Sequence, residues 1–430
     1  MSQCAETLGG LTATEAAEYR SEIENAPSEQ GFYRLRRARV AVVGDGPVLA
    51  AVLRAGIGAG WRNTLLFTDD DVPEYRLRDE FQHVVTGSAR GIGGHLADAD
   101  LVVHVSSDIG ELIEMCRRCR AANVSLTQVL VRGGDAWLTP VHTAGGRPVE
   151  AAWRRLVPAA RPAGPVAGPA PTLIGAQVAL TCFRYLTGAS AAPEPVLLRL
   201  NLASLEITEH RYQWGGPVVE AAPSTDPLAP AELLDRLPAF VDPHVGLLSA
   251  VEQAGVVSWA TVQDPRRRWP ARQVLGWARD PQTAKVRAVL AAMASYGALA
   301  AGTGWVWGTD LISGDRRRVW LDPPGSEAGV GVAAGLCWQD AVAAGLQAHC
   351  EARRDPMAAI RRWADETTPS DVDELAKTLA VQTGFTPVAV PLTADPAAAR
   401  LLPFVTKIVL TPYPHQTRLR NVTVKEWAAG

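Results

Sequence analysis

Three places in the sequence bring together residue types that could do chemistry. The first is Gly44-Asp45-Gly46, which follows the apolar run "RVAVV" (39–43) and precedes the helical pattern "PVLAAVLRAGIG". A G-x-G turn between a strand and a helix is how a nucleotide-binding loop begins. Asp69-Asp70-Asp71, at the end of the second apolar run "NTLLFT" (63–68), supplies the acidic residue that such a site sets against a ribose. Leu49 takes the third small position of the loop, and Asp45 puts a negative charge where a phosphate would sit. The second place is "MCRRC", with Cys116 and Cys119. Zinc requires four ligands and no second pair stands at a useful spacing, so both thiols read as structural and no metal is expected. The third is "GWVWGTDLISGDRRRVWLDP" (304–323), a hairpin pattern in which Trp305 and Trp307 share a face by the strand period of two. With Arg316, Arg318 and Trp320 they form either a partner-docking face or part of the domain's own core.

The surrounding elements must position these groups. After a polar, helix-prone segment (1–35), strands at 39–43, 63–68, 98–106 and 124–132 alternate with helices, which predicts an α/β layer with a mostly parallel, Rossmann-like sheet. A Pro/Ala/Gly stretch (158–172) reads as a linker or long loop, followed by a helix (173–188) and strands at 195–202 and 205–214. The low-order segment 215–232 separates this half from an α+β second half. There, a helix over 280–302 starts with Asp280 as N-cap and Pro281 at N1. The hairpin, a helix over 338–354, a further helical pattern and two late strands complete it.

Composition narrows the classes. The 430 residues suffice for two or three domains, and 47% apolar with 20% charged content is ordinary for a globular chain. A net charge of −3 gives no field that would select nucleic acid or an anionic membrane. The basic runs "DPRRRWPAR" (264–272) and "GDRRRVW" (314–320) therefore read as solvated strand ends or docking faces. No apolar run is long enough to span a bilayer, and no signal peptide opens the chain, so a cytoplasmic location is expected.

The text "RLRRARVAVVGDGPVLAAVLRAGIGAGWRNTLLFTDDDV", with "ADADLVVHVSSD" and "VSLTQVLVRGGDAWLTPVHTAGG", resembles the ubiquitin-activating (ThiF-like, adenylating) family over roughly 35–215. It looks like the divergent branch found in azole-forming peptide biosynthesis. That resemblance implies Asp69 on the ribose, Asp71 near magnesium, and Arg76 or Arg78 as the phosphate-neutralising arginine. It also implies a lysine, yet the only lysines are Lys285, Lys377, Lys407 and Lys425. The zinc-binding cysteine pairs of that family are missing too.

The second half, through "VDPHVGLL", the helix ending "AMASYGALAAG", "GVGVAAGLCWQDAVAAGLQAHCE" and the late strands, resembles the YcaO family over roughly 240–415. Active members carry a pair of glutamates three residues apart on each of two helices, which hold magnesium and hence ATP. The matching positions here are Ala291 and Ala294, then Ala348 and Glu351. The C-terminus also lacks the proline-rich tail of cyclodehydratases. The domain expectation is a helical segment 1–35, a ThiF-like domain 36–215, a linker 216–235 and a degenerate YcaO-like domain 236–430.

Together these resemblances imply a non-catalytic partner or scaffold of an azoline-forming peptide cyclodehydratase, as in thiopeptide and related pathways. It would support a separate catalytic YcaO subunit and engage the precursor peptide's leader, with no cofactor of its own. Gly44, Gly46, Asp69, Asp71 and Glu351 would be vestigial. The segment before the first strand is shorter than the winged-helix element with which such partners begin, which shifts the expectation toward docking. The alternatives are an adenylating or ATP-dependent peptide-modifying enzyme with divergent residues, and an NAD(P)-dependent oxidoreductase using the Gly44–Gly46 loop.

Overall fold

The structure, a computed structural model, describes residues 11–143, 145, 149–156, 166–189, 195–213, 226–265, 270–322, 330–354, 372–392 and 395–412. Much of the stretches 158–172 and 215–232, the centre of "DPRRRWPAR" and the tail beyond 412 lie outside the described residues. The chain divides into two compact units, Met1–Trp214 and Gly215–Gly430.

The first unit is built on one eight-stranded sheet. Its strands are β1 (Arg39–Val43), β2 (Asn63–Phe67), β3 (His83–Gly87), β4 (Leu101–Ser106), β5 (Ser125–Arg132), β6 (Asp135–Leu138), β7 (Val196–Asn201) and β8 (Ile207–Arg211). They lie in the order β3-β2-β1-β4-β5-β6-β7-β8, parallel from β3 to β5 and antiparallel from β5 to β8. The α/β class expected from the sequence holds, with a mixed, mostly parallel sheet. β1 is apolar at four successive positions because it is covered on both faces, the signature of a central parallel strand.

Three short helices, α1 (Ala13–Glu18), α2 (Arg20–Asn25) and α3 (Glu29–Arg37), precede the sheet; α4 (Gly46–Gly58), α5 (Ile109–Ala121), α6 (Glu150–Arg155) and α7 (Ala170–Thr187) follow within it. The N-terminal helices are fastened by a buried charge cluster. Arg36 on α3 meets Glu15 at 2.8 Å and Asp79 at 2.9 Å, and donates to the Gly60 carbonyl at 3.0 Å. Glu15 also closes a capping box with Thr12. Leu49, the residue that departs from the glycine pattern, is buried in the core among α4's apolar residues.

The second unit holds two antiparallel sheets. One has β9 (Leu248–Ala254), β10 (Val257–Val262) and β11 (Arg272–Trp277) in the order β11-β10-β9. The other has β12 (Gly304–Asp310), β13 (Arg316–Leu321), β14 (Val332–Ala334), β15 (Phe385–Pro391) and β16 (Val405–Pro412) in the order β13-β12-β15-β16-β14. Helices α8 (Pro230–Arg236), α9 (Pro281–Ala300) and α10 (Trp338–Arg354) and two later ones at Val372–Thr383 and Pro396–Leu401 pack with them. Asp280 caps α9 by accepting from the Thr283 N–H at 2.7 Å, and Pro281 opens the helix. No helix among the described residues is long and apolar enough to cross a membrane.

Candidate functional site

Strand order in the first unit reverses between β1 and β4, and open α/β sheets bind ligands at the carboxyl ends of strands flanking such a point. A cleft of about 810 Å³ lies there, walled by Gly44, Asp45 and Pro47 after β1, by His104 and Ser106 on β4, and by Glu111, Glu114 and Arg118 on α5. Asp69 and Arg90 complete the rim.

Asp45 sits at the N-cap position of α4, but its side chain makes no cap hydrogen bond. Its Oδ1 turns to the end of β2, accepting from Thr68 Oγ1 at 2.6 Å and from the N–H groups of Asp69 and Asp70 at 3.0 and 3.2 Å. Burial opposes its ionisation, but these three donors outweigh that and hold the carboxyl below its ordinary range. A fixed anion therefore stands at the loop. Asp69 reaches the cleft, with Oδ1 accepting from Ser88 Oγ at 2.6 Å and from the Ala89 N–H at 3.1 Å. Asp71 does not join it: it lines a separate recess of about 340 Å³ with Gly46 and Thr68.

Neither arginine suggested by the sequence lines the cleft. Arg76 is exposed on the loop after β2. Arg78 is held by the N-terminal helices, pairing with Glu18 at 2.9 Å and Glu22 at 2.5 Å and donating to the Gly58 carbonyl at 2.7 Å. The guanidiniums in the cleft are Arg90 and Arg118, which the sequence reading missed. Arg118 lies inside the "MCRRC" segment, where the cysteines drew attention. Cys116 and Cys119 are buried on α5, and burial pushes both thiols up, that of Cys119 to about 12. The Cys116 thiol donates to Gln128 Oε1 at 3.0 Å.

Gln128 is fully buried and its orientation is determined. Trp153 Nε1 can only donate, and it donates to Gln128 Oε1 at 2.8 Å. Gln128 Nε2 is then the donor to the Leu112 carbonyl at 2.9 Å and to His104 Nδ1 at 3.4 Å. His104 is thus a neutral imidazole with its proton on Nε2. Burial is the main reason its pKa falls to about 4, with the Arg118 charge adding to it. Because the folded pKa lies below the unfolded one, the unfolded chain binds the extra proton between them. Stability is therefore full above about pH 6.5 and is lost as pH falls toward 4, by on the order of 3 kcal/mol. Unfolding measured across that window should show this slope, and His104→Gln should flatten it. An unchanged slope in the variant would remove His104 as its cause.

In the second unit, "VDPHVGLL" forms a turn in which Asp242 Oδ1 accepts from the N–H groups of His244 and Val245 at 2.8 and 2.9 Å. Ala291 and Ala294 are half-buried on α9. Ala348 and Glu351 lie on α10, where Glu351 accepts from Gln347 Nε2 at 2.9 Å. Among the described residues no three His, Cys, Asp or Glu side chains gather as a metal site would require. The hairpin β12–β13 resolves the open question about its aromatic face. Trp305, Trp307 and Trp320 are 59%, 55% and 46% exposed, whereas Val319 and Leu321 on the opposite face are buried, so the tryptophans do not belong to this unit's core. Arg316 stacks over Trp307 and Arg318 over Trp305, at 5.5 and 5.6 Å.

No family model matches the sequence, and no curated protein matches it. Among solved structures, a heterocyclase in complex with substrate and cofactor superposes with a TM-score of 0.52 at 12% identity, over 89% of this chain and 65% of that one. The two share a fold. This chain spans just under two thirds of that heterocyclase's length. More distant likenesses cover about half of the chain: PaaA (TM-score 0.38, 13% identity, 49% of this chain and 77% of that one) and E. coli MccB with ATP (TM-score 0.36, 15% identity, 48% and 72%).

Proposed function

We propose that this chain is a non-catalytic partner subunit of an azoline-forming (thiazole or oxazole) peptide cyclodehydratase in ribosomal peptide natural product maturation, as in thiopeptide pathways. In this reading it supports a separate catalytic YcaO subunit, engages the precursor peptide, and uses no nucleotide or metal. The observation that carries the reading is the charge of the cleft. Asp45, Asp69, Glu111 and Glu114 face Arg90 and Arg118, and Asp45 is held ionised at the loop itself. A polyphosphate undergoing transfer requires cationic neutralisation. These residues do not fit one, and Arg78 is committed elsewhere. Ala291, Ala294 and Ala348 offer no ligand atom in the second unit. The heterocyclase-like fold is consistent with a place in the same machinery.

The competing reading, an adenylating or ATP-dependent peptide-modifying enzyme with divergent residues, draws on the cleft's size and on its two arginines. One experiment separates them. The isolated chain, with and without precursor peptide, should release no phosphate or pyrophosphate from ATP, while its addition to a catalytic YcaO subunit should raise azoline formation. Nucleotide turnover that disappears in Asp69→Ala or Glu351→Ala would overturn the partner reading.

A further inference from the structure

The open edge of β13 has the properties of a binding strand. β13 ends its sheet, and no described strand pairs with it on the side away from β12. Its ladder with β12 runs Trp305↔Trp320, Trp307↔Arg318 and Thr309↔Arg316. The Asp310 N–H donates to the Asp315 carbonyl at 2.9 Å, which sets the phase of that ladder. In an antiparallel pair, opposed residues alternate between exchanging both backbone bonds and exchanging none. Residues 317, 319 and 321 therefore bond to β12, and Arg316, Arg318 and Trp320 turn their N–H and C=O groups to the open edge.

The same three residues carry the exposed side chains. Arg317, between them, is occupied on the inner face, 3.2 Å from Asp310 and donating to Thr411 Oγ1 at 2.9 Å. Arg316 and Arg318 have tryptophan rings beside them and no carboxylate partner among the described residues. Backbone donors and acceptors, two uncompensated guanidiniums and an aromatic face thus converge along one strand.

We propose that this edge adds an extended acidic peptide segment of a partner as a further antiparallel strand, its carboxylates on Arg316 and Arg318 and its apolar residues against the indoles. Main-chain bonds would supply register and alternate side chains selectivity, the logic of strand addition. Charge decides the occupant. A second copy of this chain pairing through the same edge in a register centred on Arg318 would set arginine against arginine, which is unfavourable across strands. The inference rests on the partner reading above and names the chemistry that such a partner presents.

The probe is a short synthetic peptide, Val-Thr-Glu-Thr-Glu-Thr, whose valine and two glutamates share one strand face opposite Trp320, Arg318 and Arg316; its counterpart with lysine for glutamate and an oligothymidylate serve as comparisons. The glutamate peptide should bind the full chain and slow hydrogen exchange at the amides of 316, 318 and 320, with little change at 317 and 319. N-methylation of one alternate set of its amides should abolish binding. Arg316→Gln with Arg318→Gln should weaken it about tenfold with thermal unfolding unchanged. Absent binding, unprotected edge amides, unchanged affinity in the double variant, or tighter binding of either comparison ligand would overturn the proposal. So would self-association that protects those amides without peptide. ATP turnover by the chain would overturn the partner reading and leave the edge measurement standing; a silent edge without turnover would do the reverse.

Discussion

Arg36→Met should cost the first unit about 3–5 kcal/mol of stability, because it removes the buried cation of a charge cluster and leaves Glu15 only the half-exposed Arg62 at 3.9 Å. The Arg36 side chain is 1% exposed, and Glu15 and Asp79 beside it are 3% and 9% exposed. Burial alone would raise the Glu15 pKa, but the hydrogen bond from Arg36, helped by Thr12, outweighs it and keeps the carboxylate ionised. Without the guanidinium, Glu15 must either protonate or remain charged in a dry site. Asp79 keeps the Tyr19 hydroxyl and loses its counter-ion. Adding Glu15→Gln to Arg36→Met should return part of the loss, since the uncompensated charge and not the missing contact dominates it. Urea titration followed on the first unit's transition measures both variants. A loss below about 1 kcal/mol would show that water reaches this cluster.

Gly44→Ala should be nearly as damaging, about 3–5 kcal/mol, and the reason bears on function. Gly44 has φ +133°, and a Cβ there would lie 2.2 Å from the Val105 carbonyl oxygen on β4. Strain and collision add. Gly46 is the internal comparison: its φ is +79°, but a Cβ would meet no atom within 4 Å, so Gly46→Ala should cost only the left-handed conformation, about 1–2 kcal/mol. Thermal unfolding of the two variants tests the ordering. Equal losses would mean that β1 and β4 can separate without penalty. If the ordering holds, the packing of these two strands alone is enough to require Gly44, whether or not a phosphate ever approaches the loop.

That result would explain why the loop reads so clearly in sequence without deciding its chemistry. β1, the glycines and α4 are legible because they are local: a strand, a turn and a helix within 20 residues. The helices at Pro281–Ala300 and Trp338–Arg354 are legible for the same reason, through a capping aspartate and helical periodicity. What the sequence hid depends on distant pairing. Arg78 is consumed by Glu18 and Glu22, some sixty positions upstream, so nothing near it warned that it was unavailable to the cleft. Asp45 is fixed by donors from the end of β2. Strand β3, "HVVTG", is short, exposed and edge-placed, so it carries no apolar run. The sheet β9–β11 had a usable signal in Gly255, whose φ of +59° forms the turn between β9 and β10. The strand after it, "VSWATV", buries only Ser258, Ala260 and Val262, too small or polar to stand out as a core face.

The indoles of Trp305 and Trp320 face each other across the hairpin at 5.7 Å, inclined by 76°. Two identical chromophores this close, fixed at a skewed angle, share their excited states. The coupling splits their ultraviolet absorption into bands of opposite circular polarisation, with a sign and strength that follow the angle between the rings. The protein thus carries its own optical gauge of this hairpin, readable without a label and sensitive to any event that tilts one ring against the other.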